Sequence, residues 1–204
     1  MDFLYALDIA GTLVFAISGA LQANRHELDF LGFMVLAVAT GVGGGMIRDM
    51  LLGATPPAAL QDELYLIVCV LGGLLVFRAA PPIARRWNRV LIFDAVGLGV
   101  FAAIGAAKGV DFGLGPIGVM MMAALTATGG GVVRDLMVLE VPAVIKGGFY
   151  ATAALFGGLV YWGAVQLGLP ESACLVVTLS FTIGLRFWAM ARNISLPKAP
   201  KVPV

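Results

Sequence analysis

The sequence predicts an all-α membrane protein of seven transmembrane helices, built as two inverted three-helix repeats plus one extra helix. Three observations lead there. First, 60% of the 204 residues are hydrophobic and 12% charged, with a mean hydropathy of +0.98, which excludes an ordinary soluble domain. Second, the apolar residues gather into seven runs, each long enough to cross about 30 Å of hydrocarbon as a helix. Third, Gly43-Gly44-Gly45-Met46-Ile47-Arg48-Asp49 returns 86 positions later as Gly129-Gly130-Gly131-Val132-Val133-Arg134-Asp135. The same offset, without a gap, pairs Asp8 with Asp94, Gly11 with Gly97, Phe15 with Phe101, Gly19 with Gly105, Thr40 with Thr126 and Pro56 with Pro142.

The runs fall at 3–22, 29–53, 63–80, 90–108, 115–139, 147–168 and 172–190. Polar or turn-forming connections separate them, among them Asn24-Arg25-His26-Glu27, Thr55-Pro56-Pro57 and Leu169-Pro170-Glu171. The chain therefore divides into a first three-helix repeat (1–80), a basic loop (81–89), a second repeat (90–168), a seventh helix (169–190) and a proline-rich tail (191–204) that cannot be helical. The Met-Asp-Phe-Leu-Tyr start has no positive region and does not read as a cleaved signal peptide.

Arg78, Arg85, Arg86 and Arg89 follow the third run, and Arg186, Arg192, Lys198 and Lys201 close or follow the seventh. Four crossings separate the two groups, so both lie on one face, which the positive-inside rule makes cytoplasmic. Arg25 and Lys146 join them there, while Lys108 falls outside with Asp62, Glu63 and Glu171. The expected placement is a multi-pass inner-membrane protein with its N-terminus outside and C-terminus in the cytoplasm. Because three spans is an odd number, the second repeat enters from the opposite face.

The duplicated motif carries the chemistry. Three consecutive glycines weaken a membrane helix by about 1 kcal/mol each relative to alanine. The expectation is a local break, whose freed carbonyls line a path and replace part of a cation's hydration shell. The competing reading is close helix packing, since Gly41 and Gly45 also form a GxxxG pair. An arginine inside a span costs at least about 2.5 kcal/mol unless paired. Arg48 is therefore expected beside Asp8 or Asp49, and Arg134 beside Asp94 or Asp135. Thr12, Ser18, Thr40, Thr126 and Thr128 are expected to bond back to their own helices. Tyr5, Trp87, Tyr161, Trp162 and Trp188 read as interfacial anchors. Cys69 and Cys174 sit in apolar runs as packing residues.

Other classes fall away. The triplets lack the following lysine and the strand–loop–helix setting of a phosphate loop. No nucleophile–base pair suggests an enzyme. A single histidine and no Cys/His cluster speak against a metal site or other cofactor. The basic residues form no nucleic-acid groove.

With the Gly-Gly-Gly-x-x-Arg-Asp motif in both halves, the chain resembles prokaryotic members of the trimeric intracellular cation (TRIC) channel family over roughly residues 3–190. The resemblance implies a homotrimer whose protomers each hold a potassium-permeable pore; with no Thr-Val-Gly-Tyr-Gly filter in the sequence, only modest selectivity over sodium is expected. That pore would run between the repeats at Gly43, Gly44, Gly45, Gly129, Gly130 and Gly131, with Arg48, Asp49, Arg134 and Asp135 beside it. Membrane lipids are the other expected partners. The lysine-bearing pore motif of animal members has no equivalent here, so lipid or calcium regulation is not implied. Two readings compete with the channel. One is a secondary transporter of a small solute such as glycine; the other is a structural protein whose glycines serve only packing.

Overall fold

The computed structural model describes residues 3–83, 88–146, 149–194 and 196. Arg85, Arg86, Trp87, Lys198, Lys201 and the Arg89 side chain, on which part of the orientation rests, lie outside what is described. Eight helices appear among the described residues: α1 (Phe3–Arg25), α2 (Phe30–Leu52), α3 (Ala58–Gln61), α4 (Glu63–Ile83), α5 (Asn88–Asp111), α6 (Pro116–Met137), α7 (Ala151–Gln166) and α8 (Glu171–Ala191). Length and composition alone make α1, α2, α5, α6 and α8 able to cross a membrane. The protein is thus an all-helical, multi-pass membrane protein.

Local chemistry sets the boundaries. Asp29 caps α2, its carboxylate accepting the Gly32 amide at 2.7 Å. Gly53 ends the helix in the left-handed conformation at φ 73°, its amide returning to the Asp49 and Met50 carbonyls. Pro116 opens α6 in the first turn, where its missing N–H costs nothing. The short α3, in the segment read from sequence only as a Pro-Pro connection, was not foreseen.

The core falls into two clusters. One, including Ala16, Ala20, Leu36, Cys69 and Val76, joins α1, α2 and α4. The other, including Leu98, Phe101, Val119, Ala153, Tyr161 and Leu175, joins α5, α6, α7 and α8. The clusters meet where α2 packs on α6 and α1 on α5, with Phe15 and Phe101 touching across the seam at 5.1 Å. Tyr161 lies inside this core at 3% exposure, not at an interface as its sequence position suggested. Both cysteines are buried and free.

The glycine triplets correct a second expectation: α2 and α6 run through them as uninterrupted helix. Their role is proximity. A methyl on Gly44 would collide with the Thr126 carbonyl oxygen, and one on Gly130 with the Thr40 carbonyl oxygen. A β-carbon on Gly129 would stand 3.1 Å from the Gly44 Cα. The helices cross backbone to backbone here, so packing offsets the weak helix propensity that glycine brings. The triplet carbonyls thus lie within helical backbone and not at a break.

Candidate functional site: two buried ion-pair groups and an open cavity

Each crossing helix carries its arginine one turn beyond the glycines, and each arginine is buried among carboxylates. Arg134 is saturated. Its Nη1 donates to Asp94 Oδ1 at 2.7 Å and to the Ser18 hydroxyl at 2.6 Å, and its Nη2 to Asp94 Oδ2 at 3.0 Å. Its Nε donates to Asp135 Oδ1 at 2.9 Å. The Ser18 hydroxyl in turn donates to Asp94 Oδ1 at 2.5 Å. The exposures of Arg134 (3%) and Asp94 (2%) put this bidentate pair wholly inside the protein.

Arg48 is less well held. Its Nε donates to Asp49 at 2.8 Å, but its Nη2 stands 3.9 Å from Asp8. Its Nη1 is buried with no partner. The second Asp8 contact is instead the Tyr65 hydroxyl, which donates at 3.1 Å. The outer oxygens of Asp49 and Asp135 do matching work: they accept the amides of Ala58 at 3.0 Å and Ala143 at 2.9 Å, fixing the chain beyond each helix.

The looser group faces open space. A cavity of about 260 Å³ is lined by Leu4, Tyr5, Asp8, Arg48, Asp62, Tyr65 and Lys108, among others. A void of about 10 Å³, room for one water, continues inward along Thr12, Gly41, Gly45 and Asp49. At the mouth, Tyr5 donates to Asp62. That bond, with the Leu64 amide, holds the Asp62 carboxyl below the ordinary aspartate value. Tyr5 therefore lines the cavity mouth.

At the opposite end of α1, Glu140 accepts Lys146 at 3.1 Å and meets Arg25 at 3.1 Å and His26 at 3.0 Å. Burial alone would raise the Glu140 carboxyl. The hydrogen bonds from Lys146 and His26 and the charge of Arg25 outweigh it and keep the carboxyl low.

The structure thus gathers Asp8, Arg48 and Asp49 into one group and Asp94, Arg134 and Asp135 into another, and brings the two triplets together between them. The groups do not merge: Asp8 and Ser18 are ten residues apart on α1, about 15 Å. Thr40, Thr126 and Thr128 bond to their own helices at 2.6–2.8 Å, whereas Ser18 reaches across to the Arg134 group. Tyr65 was missed, and so was Tyr150, which stands 3.5 Å from where a Gly131 β-carbon would be. A signal existed for both, since Ala58 and Ala143, like Tyr65 and Tyr150, pair at an offset of 85. A gapless comparison at 86 hides them.

A helical bundle with paired charges buried inside its membrane-length helices belongs to the class of membrane transport proteins. A family model described as a glycine transporter matches the chain twice, over residues 5–81 and 91–166, the two matches starting 86 residues apart. A UPF0126 membrane protein of Vibrio cholerae is 40% identical over 200 residues, covering 96% of this chain and 82% of the relative. The UPF0126 inner membrane protein YadS of Escherichia coli is 36% identical over 197 residues, covering 95% of each. A structure described in work on conductance through TRIC cation channels superimposes with a TM-score of 0.90 at 37% identity, covering all of both chains. The TRIC orthologue of Rhodobacter sphaeroides superimposes equally, at 0.90 and 34% identity, over 95% of this chain and all of the other. The chain belongs to this prokaryotic family, the bacterial branch of the TRIC channels.

Proposed function

We propose that the chain is a channel for monovalent cations, potassium above all, with a pore inside each protomer of a homotrimer in the inner membrane. Its seven long helices span the bilayer as two inverted three-helix halves, α1–α2–α4 and α5–α6–α7, with α8 added. The observation that carries this reading is the whole-chain likeness to structures described as TRIC cation channels. The reciprocal contact of Gly44 with Thr126 and Gly130 with Thr40 supports the inverted arrangement, because exchanging the halves maps one contact onto the other.

Cations enter the cavity at Tyr5, Asp8, Asp62 and Tyr65, where carboxylate and phenol oxygens stand in for hydration water. They continue along Gly41 and Gly45 of α2, where missing side chains leave room once the one-water void widens. Arg48 and Arg134 hold Asp49 and Asp135, and so fix where each helix ends.

A second reading has an observation of its own. The unpartnered Nη1 of Arg48 beside Asp8 offers a carboxylate site next to an ammonium site at a cavity large enough for a small zwitterion such as glycine. Single-channel recording of purified protein in a planar bilayer under a potassium gradient separates the two. Discrete cation-selective openings, altered in a folded, trimeric Gly130→Leu variant, support the channel. Silent bilayers with saturable glycine uptake into liposomes move the assignment to the transporter.

A further inference from the structure

The two ion-pair groups look alike in sequence, yet their surroundings differ in charge. Asp8, Arg48 and Asp49 carry one cation against two carboxylates, and Asp62 and Lys108 at the same cavity cancel each other. The first group is therefore one charge negative. Asp94, Arg134 and Asp135 have the same count, but α8 adds a further cation there. Arg186 lies 9% exposed with its guanidinium 4.9 Å over the Tyr150 ring. It is within electrostatic reach of Asp94, and Tyr150 is within reach of Arg134, Asp94 and Asp135.

No carboxylate lies within salt-bridge distance of Arg186 among the described residues, and its Nε is buried without a partner. Tyr150 Oη, at the start of α7, and the Thr178 and Thr182 hydroxyls on α8 are likewise unpartnered. Hydrogen bonding does not account for Arg186; its charge does. Fixed charge thus runs from negative at Asp8 to neutral at Ser18, over about 15 Å of α1.

We propose that Arg186, supplied by the helix that lacks a counterpart in the other half, neutralises the second ion-pair group and makes the conduction path electrostatically one-sided, so that cation current rectifies. The inference rests on the channel reading above. A negative mouth concentrates cations at entry and a neutral one does not, so current is larger when cations enter at the Asp8 end.

The test is the current–voltage relation of single channels in symmetric potassium chloride. Their orientation is fixed by one-sided thiol modification of an Asp111→Cys background. Arg186→Gln is expected to raise the current of cations entering at the Arg25 end, lowering the rectification ratio about two-fold or more. Arg186→Lys, which keeps the charge, should retain the ratio. Asp8→Asn should lower the opposite limb, a signature that a packing defect scaling both limbs does not give. Conducting Arg186→Gln channels with an unchanged ratio, or with both limbs scaled alike, overturn the inference and leave the channel reading standing. Absence of current in the wild type overturns both.

Discussion

Arg134 and Arg48 occupy equivalent positions, but the energetics of losing a partner differ. Removing one member of a well-formed buried pair costs about 3–5 kcal/mol, because the other charge is left uncompensated in low dielectric. Asp94→Asn breaks two bonds of 2.7 and 3.0 Å to Arg134, so a loss at the lower end of that range, about 3 kcal/mol, is expected. Asp8→Asn removes only a 3.9 Å approach, with Arg48 still held by Asp49 at 2.8 Å. A loss of about 1 kcal/mol is expected there. Denaturant unfolding in detergent micelles measures both, and equal losses would contradict the asymmetry. A second residue-scale effect comes from Leu139. It sits at φ 56°, at the position 86 residues after Gly53 at φ 73°. A leucine in the left-handed region costs about 1–2 kcal/mol, part of which glycine returns in unfolded-state entropy. Leu139 is 96% exposed, so little packing is at stake. Leu139→Gly should stabilise the protein by about 0.5–1 kcal/mol; a drop in melting temperature would mean that the leucine makes contacts elsewhere, for instance with a neighbouring subunit.

Within each triplet the glycines are not equivalent, and the difference belongs to the crossing of α2 and α6 as whole elements. Gly44 and Gly130 face the partner backbone, where a methyl has nowhere to go. A β-carbon on Gly45 would meet only Arg48 Nη2 at 3.6 Å, and one on Gly131 only the Tyr150 hydroxyl at 3.5 Å and Arg134 Nη2 at 3.9 Å. Gly44→Ala and Gly130→Ala should therefore push the helices apart and destabilise by about 2 kcal/mol or more. Gly45→Ala and Gly131→Ala should be neutral or stabilising by up to about 1 kcal/mol, because alanine is the better helix former. Thermal unfolding of the four variants checks this, and a uniform response across them would remove the crossing as the reason for the glycines. The sequence made the spans legible through hydropathy. It made the charged groups legible because an arginine within a span demands a carboxylate. It could not tell a broken helix from a close crossing, since three glycines satisfy both and only the position of the other helix decides. Ser18, Tyr65 and Arg186 were hidden for a related reason: each acts on a residue far away in the chain, and none repeats at the offset that revealed the rest.

At the scale of the whole molecule the two ends differ in charge. The start of α1, α3, the start of α4 and the end of α5 come together around Tyr5, Asp62 and Lys108. Asp111 and Glu171 line a neighbouring cavity with Phe3 and Tyr5. This end is acidic. The far end of α1 carries Arg25, held with Lys146 by Glu140, opposite the acidic end. Positive loops stay in the cytoplasm during insertion, so the Asp8 cavity is expected outside and the Glu140 cluster inside. Cysteine accessibility in intact cells tests this with little background, because Cys69 and Cys174 are both buried. Asp111→Cys, exposed at the last residue of α5, should react with a membrane-impermeant maleimide from outside. Glu27→Cys, exposed in the turn after α1, should react only after permeabilisation. The reverse pattern would turn the molecule over and, with it, the direction in which cations meet the negative mouth first. Labelling of both positions in intact cells would mean that the chain inserts in two orientations, as expected if the basic residues of short loops were too evenly matched to decide.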